Sequence, residues 1–178
     1  SEMCIRDSFW GDSAGAAAAQ LAAAEPPLDF LVGDYLAELT MGLLASRGGR
    51  KGRGGRPTPS HIAEFGKDVW APLADGLLKR GTRVVVNAGG MDPLAAKAAI
   101  EAINKEAGRS GVVVAAVAGD DLRKEYDALV ERGRITPFAV PGDEAEAVRA
   151  GLLSCNAYLG AAPIKAALDA GAHVVVTG

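Results

Sequence analysis

Asp34, Asn87, Asp120 and Asn156 are the residues of this chain best placed to do chemistry, each in a short loop that also holds glycine. A carboxylate beside a carboxamide can exchange a proton, orient a hydroxyl or polarised carbonyl, or meet a Mg²⁺ carried in with a substrate phosphate. The same or matching loops carry the candidate substrate-binding residues. These are Trp10, Gly11 and Asp12 in "FWGDS", then Tyr35 and Glu38, Gly89 and Gly90, Asp121, Tyr158 and Thr177. Asp34 and Glu38 lie four apart and would share a helix face. Trp10 and Tyr158 could stack on a ligand or cover the end of a sheet. No metal ligand set and no cofactor is assigned.

The stretch "VVVNAGGMDP", Val84–Pro93, poses the question sharply. An apolar strand runs into an amide, two glycines and Asp-Pro. Asp92 reads as a helix N-cap with Pro93 in the first turn. Asp12, Asp34 and Asp120 can cap helices in the same way, each for about 1 kcal/mol. Asn87 stands too far before a helix for capping, so it either steadies a turn or faces a ligand, and Gly89 and Gly90 would keep the approach to backbone open. The spacing is neither G-x-G-x-x-G nor a Walker-type G-K-[ST]. These loops hold no Lys or Arg, and their carboxylates repel phosphate unless a cation intervenes, so the usual dinucleotide site is not expected. Cys155 has no histidine placed to activate it and reads as a small packed residue, while His61 and His173 make no metal motif.

The elements that must position these loops alternate. Leu28–Gly33, Arg83–Gly90, Val112–Asp121 and His173–Gly178 are valine-rich or apolar runs suited to strands covered on both faces. Asp12–Glu25, Tyr35–Ser46, His61–Arg80, Pro93–Ala107, Leu122–Arg132 and Ala162–Ala170 have helical character, and Gly81 and Gly171 stand where C-caps belong. The pattern predicts an α/β fold: a Rossmann-like three-layer sandwich with a mainly parallel sheet. Ligands in such sheets sit outside the carboxyl ends of the strands, where the candidate residues fall.

Composition bounds the rest. The chain has 178 residues, 49 % hydrophobic and 23 % charged, which fits one globular domain rather than a disordered chain. A net charge of −3 gives no reason to expect nucleic acid as the main partner. No apolar run reaches the ~18 residues of a membrane helix, and two cysteines make no disulfide framework, so a cytoplasmic setting is expected. Ser46–Ser60 carries five positive charges, five glycines and two prolines. It reads as a flexible basic loop, with an RNA-binding segment as the sharper alternative.

Ser1–Ser8 has neither periodicity and reads as a non-native leader that adds nothing to the fold. Residues 9–178 would then be a partial α/β domain, the N-terminal part of a longer protein, truncated at both ends with its first strand lost.

A resemblance attaches to these motifs. "FWGDS", "DFLVGDYLAELTMGLLA", "VVVNAGGMDP", "AVAGDD" and "LLSCNAYLGAAPIKAALDAGAHVVVTG" together resemble the N-terminal domain of the acyclic terpene utilisation (AtuA-type) family, formerly a domain of unknown function. The resemblance spans nearly all of Phe9–Gly178, and "GDYLAELTM" with "NAYLGA" is its most specific part. It implies a cytoplasmic protein of acyclic terpenoid breakdown, in which acids related to citronellol and geraniol are handled as CoA thioesters. It carries no catalytic residue over, and Cys155 stands where the family often has another small residue. Two classes follow: an enzyme acting on a branched acid or its CoA thioester, or a non-catalytic partner or assembly factor of an acyl-CoA carboxylase. Expected partners are a small-molecule or acyl-CoA substrate, and a homo-oligomer is allowed; nucleic acid and membrane are not expected.

Overall fold

The computed structural model describes residues 4–7, 16, 20, 24–48, 50, 55, 57–135 and 149–178. The chain forms two compact units, one of Ser1–Ala118 with Gly160–Gly178 and the other of Gly119–Leu159. The first unit holds a five-stranded sheet built from β1 (Cys4–Asp7), β2 (Phe30–Gly33), β3 (Arg83–Val86), β4 (Val114–Val117) and β5 (Val174–Thr177). Its order is β1-β2-β3-β5-β4 and every pairing is parallel. The α/β class and the parallel sheet are as the valine runs indicate, each strand being a shorter core of its run.

β1 corrects one expectation. Ser1–Ser8 shows no strand periodicity, yet the backbone of Cys4–Asp7 pairs with β2 from Cys4↔Phe30 to Asp7↔Gly33. A four-residue edge strand is held by backbone bonds along one side, so the two-residue alternation that marks a strand in sequence is not required of it. A strand therefore stands where the first one was expected to be lost, and "FWGDS" itself lies outside the described residues.

Helices cover both faces. On one face lie α1 (Glu38–Arg47), a π-helical turn at Phe65–Trp70 running into α2 (Ala71–Arg80), and α3 (Pro93–Glu106). Their side chains Leu44, Phe65, Val69, Trp70, Leu77 and Ile100 pack with Leu31, Val84, Val86, Val174 and Val176. The extra residue in the π turn places Phe65, Gly66, Val69 and Trp70 all in the interior. On the other face, α5 (Ala162–Asp169) brings Ile164, Ala167 and Leu168 against Val85, Ala115, Val117 and Val175. Gly81 ends α2 in the left-handed conformation, φ 74°, as its place before β3 requires. The second unit contains the short helix α4 (Tyr126–Glu131).

Chain order does not run across the sheet. β5, the last strand, lies between β3 and β4. Val174, Val175 and Val176 are fully buried, each contributing roughly 1.5–3 kcal/mol by leaving water.

The basic segment is closed at its base. The Thr58 N–H and hydroxyl both donate to the Arg50 carbonyl, at 2.8 and 3.1 Å, and the Gly48 N–H donates to Leu44 at the end of α1. Residues 51–55 lie inside this closure. Their deletion is expected to change the unfolding free energy by well under about 1 kcal/mol, since closure entropy varies slowly with loop length. Urea denaturation of the shortened protein checks this; a larger loss would make the segment part of the fold.

Candidate functional site

Because the strands are parallel, the loops after β2, β3 and β5 emerge at one end of the sheet. Gly33 is in register with Val86, and Val86 with Val176, so Asp34, Asn87 and Thr177 follow side by side. Asn87 joins the first two loops. Its Nδ2 donates to Asp34 Oδ1 at 2.8 Å, and its Oδ1 accepts from the Tyr35 backbone N–H at 2.6 Å. The amide orientation is thereby fixed, because a carboxylate only accepts and a backbone N–H only donates. Asn87 thus does not steady its own turn. It clamps the β2 loop and holds the Asp34 carboxylate, and both side chains are half-buried.

The glycines serve this clamp from within. Gly89 donates its N–H to the Thr177 carbonyl at 2.9 Å. A Cβ on Gly89 would collide with that oxygen and come within 2.8 Å of Pro93 Cα. Gly90 has φ +53°, and a Cβ there would run into Leu44. Both glycines are buried, so the space expected for a ligand beside them is filled by the protein's own atoms. The small residues are needed because backbone approaches backbone.

The remaining candidates of the first unit separate into wall, rim and core. Tyr35 turns inward, buried, with its ring edge-on to Phe65 at a centroid distance of 5.9 Å, so it is a core residue and offers no open face. Asp34 and Glu38 do not share a helix face. Ala37 precedes α1 in an extended conformation, φ −139° and ψ 169°, which leaves Asp34 outside the helix. Asp34 is therefore no N-cap either. Glu38 is exposed in the first turn of α1. Asp92 does cap α3, accepting from the Ala95 N–H at 2.9 Å with Pro93 behind it. Thr177 is half-buried and supplies the carbonyl that anchors Gly89. At the same end of the sheet, Leu39 and Leu94 in the first turns of α1 and α3 are 75 % and 63 % exposed.

The second unit repeats the chemistry. Asn156 Nδ2 donates to Asp120 Oδ2 at 2.7 Å, and Asp120 is buried. Backbone bonds from Ala157 to Asp120 and from Leu122 to Cys155 tie the two segments together. Asn156 Oδ1 is buried and has no partner there. Asp120 is no cap, since α4 starts at Tyr126. Asp121 is bound by Arg123, whose Nη2 lies 2.6 Å from Oδ2, and this hydrogen bond holds its carboxyl below the usual range. Arg123 thereby offsets the negative charge expected of this loop. Burial, reinforced by the Asp121 charge, raises the Cys155 thiol, which disfavours a thiolate nucleophile. Tyr158 is fully exposed and covers nothing. Trp10, Gly11 and Asp12 lie outside the described residues.

One residue passed over in the sequence joins the first site. The strap Ser60–Ile62 is laced to the β3 loop, with Ile62 N–H donating to Ala88 and Met91 N–H to Ser60, both at 2.9 Å. This brings His61 to Gly90, with its Nδ1 buried and without a partner. No spacing motif announces it, because the strap follows a loop whose return path the sequence does not specify. Among the described residues, no group of three His, Cys, Asp or Glu gathers as a metal site would.

Burial lowers the His61 pKa from 6.5, against the charges of Asp92 and Glu64, which raise it. The unfolded chain therefore takes up this proton first as pH falls. The stability held by neutral His61 is present above 6.5 and is lost as pH drops from there toward the folded value. Urea midpoints measured from about pH 8 down to about pH 5.5 should fall less steeply for His61→Gln than for the parent. Parallel curves would show that His61 is not buried as described.

Among the described residues, no helix is long and apolar enough to cross a membrane. No curated protein and no solved structure matches the chain. The family model "Acyclic terpene utilisation family protein AtuA" matches residues 6–178, covering β2 to β5, the end of β1 and every described site residue, and the chain therefore belongs to that family.

Proposed function

We propose that the chain serves the breakdown of acyclic terpenoids as an enzyme, acting on a branched acid or its CoA thioester at the carboxyl ends of β2 and β3. The observation that carries this reading is the Asp34 carboxylate held by Asn87, at the end of the sheet where α1 and α3 begin with exposed Leu39 and Leu94. An acyclic terpenoid acid is a methyl-branched hydrocarbon ending in a carbonyl group, and it needs such a pairing of apolar rim and polar centre. In this reading Asp34 exchanges a proton with the substrate, and Asn87 fixes the direction in which its carboxylate points. Asp120 and Asn156 form the corresponding pair of the second unit. Trp10, Gly11 and Asp12 complete the binding residues, and the setting is cytoplasmic, where CoA thioesters are made and used.

The family assignment supports the pathway, and the geometry supports a site for a small molecule. The exposed leucines also favour the other class, a partner or assembly factor of an acyl-CoA carboxylase, because apolar rims bind proteins too. The test is to incubate the protein with CoA thioesters of citronellol- and geraniol-derived acids and follow products by mass spectrometry. Asp34→Asn and Asn87→Ala are expected to keep the fold and lower turnover by about one to two powers of ten, the equivalent of ~1–3 kcal/mol. Unchanged turnover in both variants would overturn the assignment of Asp34. Retention of carboxylase binding by a protein that turns over no thioester would establish the partner role.

A further inference from the structure

The strap Ser60–Ile62 is tied to the β3 loop on either side of His61. Ile62 donates its N–H to the Ala88 carbonyl and sinks its side chain into the core, where it is fully buried. Ser60 is tied through its carbonyl, which accepts from the Met91 N–H at 2.9 Å. Between these ties His61 lies against Gly90, its Nδ1 buried and without a partner.

That nitrogen tolerates only one charge state of the ring. Neutral His61 can keep its proton on Nε2 and present a bare lone pair at Nδ1. The cation carries a hydrogen on both nitrogens, so it must bury an N–H that nothing receives. Two charged groups face the ring, Asp92 from the start of α3 and Glu64 from the turn after the strap. Both favour the cation, yet neither accepts from Nδ1, and Asp92 Oδ1 is already committed to the Ala95 N–H. The β3 loop offers no titratable side chain between Ala88 and Met91, and α1 meets the strap where Gly48 abuts the Ser60 hydroxyl. An acceptor for the buried N–H is reached only by moving the ring into water.

We propose that Ser60–His61 is a pH-sensitive latch, closed on Gly90 while His61 is neutral and lifted when the ring is protonated, with Ile62 as its hinge. Lifting breaks the Ser60–Met91 bond and bares one side of the loop that carries Asn87, while the sheet stays paired. The latch does not depend on what the strand ends bind. The sign follows from the ring's two settings. In water the lifted ring titrates near the ordinary 6.5, whereas burial holds the latched ring below it, so lifting gains as pH falls through 6.5.

The test is amide hydrogen exchange of the full chain, corrected for the intrinsic rate at each pH and read at Met91, Ile62 and Val175. Met91 should be less protected than the other two, and small additions of urea should leave its exchange unchanged, as for a local opening. From about pH 8 to about pH 5.5 its protection should fall by about five- to tenfold, and His61→Gln should abolish that fall. The Ile62 amide should follow Val175 throughout. Three results would each overturn the latch. Met91 could exchange together with Ile62 and Val175, its protection could stay within about twofold over this range, or the fall could persist in the His61→Gln protein.

Discussion

Strand β5 is paired on both edges, by β3 and by β4, and covered on both faces, so Val174–Val176 have no contact with water. Its backbone groups must all be met inside the protein, and the next carbonyl, that of Thr177, is met by the Gly89 N–H. That one bond fixes the β3 loop against the centre of the sheet. A side chain at Gly89 would push the loop off Thr177 and Pro93 together, and one at Gly90 would drive Leu44 away. The glycine pair is thus the consequence of a central strand that needs its last acceptor covered by backbone.

With the loop fixed, Asn87 has a single pose. Its amide meets a carboxylate on one side and a backbone N–H on the other, and both partners come from the neighbouring β2 loop. Aspartate in place of Asn87 would set two carboxylates face to face, so the amide is chemically required. The unit of Gly119–Leu159 uses the same device, Asn156 holding Asp120, to close its own chain segments. In each case the amide gives a donor to the carboxylate, which keeps that group oriented.

The fold class was legible because both-face burial writes itself as runs such as Val84–Val86 and Val174–Val176. The order β3-β5-β4 was not, since any of these valine runs can pair with any other. β1 was hidden for the opposite reason: four edge residues leave no periodic trace. Of the site, Asp34 and Asn87 were legible as loop residues after adjacent strands, but their hydrogen bond was not. The inward turn of Tyr35 depends on Phe65, thirty residues on, and the approach of His61 depends on how the basic loop returns. Glycine beside a polar residue looks the same in sequence whether its space is kept for a ligand or filled by the protein, and at Gly89 and Gly90 it is filled.

The central claim is that Asn87 holds the Asp34 carboxylate, and a double-mutant cycle of Asp34→Ala and Asn87→Ala by urea denaturation tests it directly. A coupling energy of about 1–2 kcal/mol is expected, within the range for residues sharing a hydrogen bond. Additivity to within about 0.3–0.5 kcal/mol, the behaviour of independent sites, would contradict it.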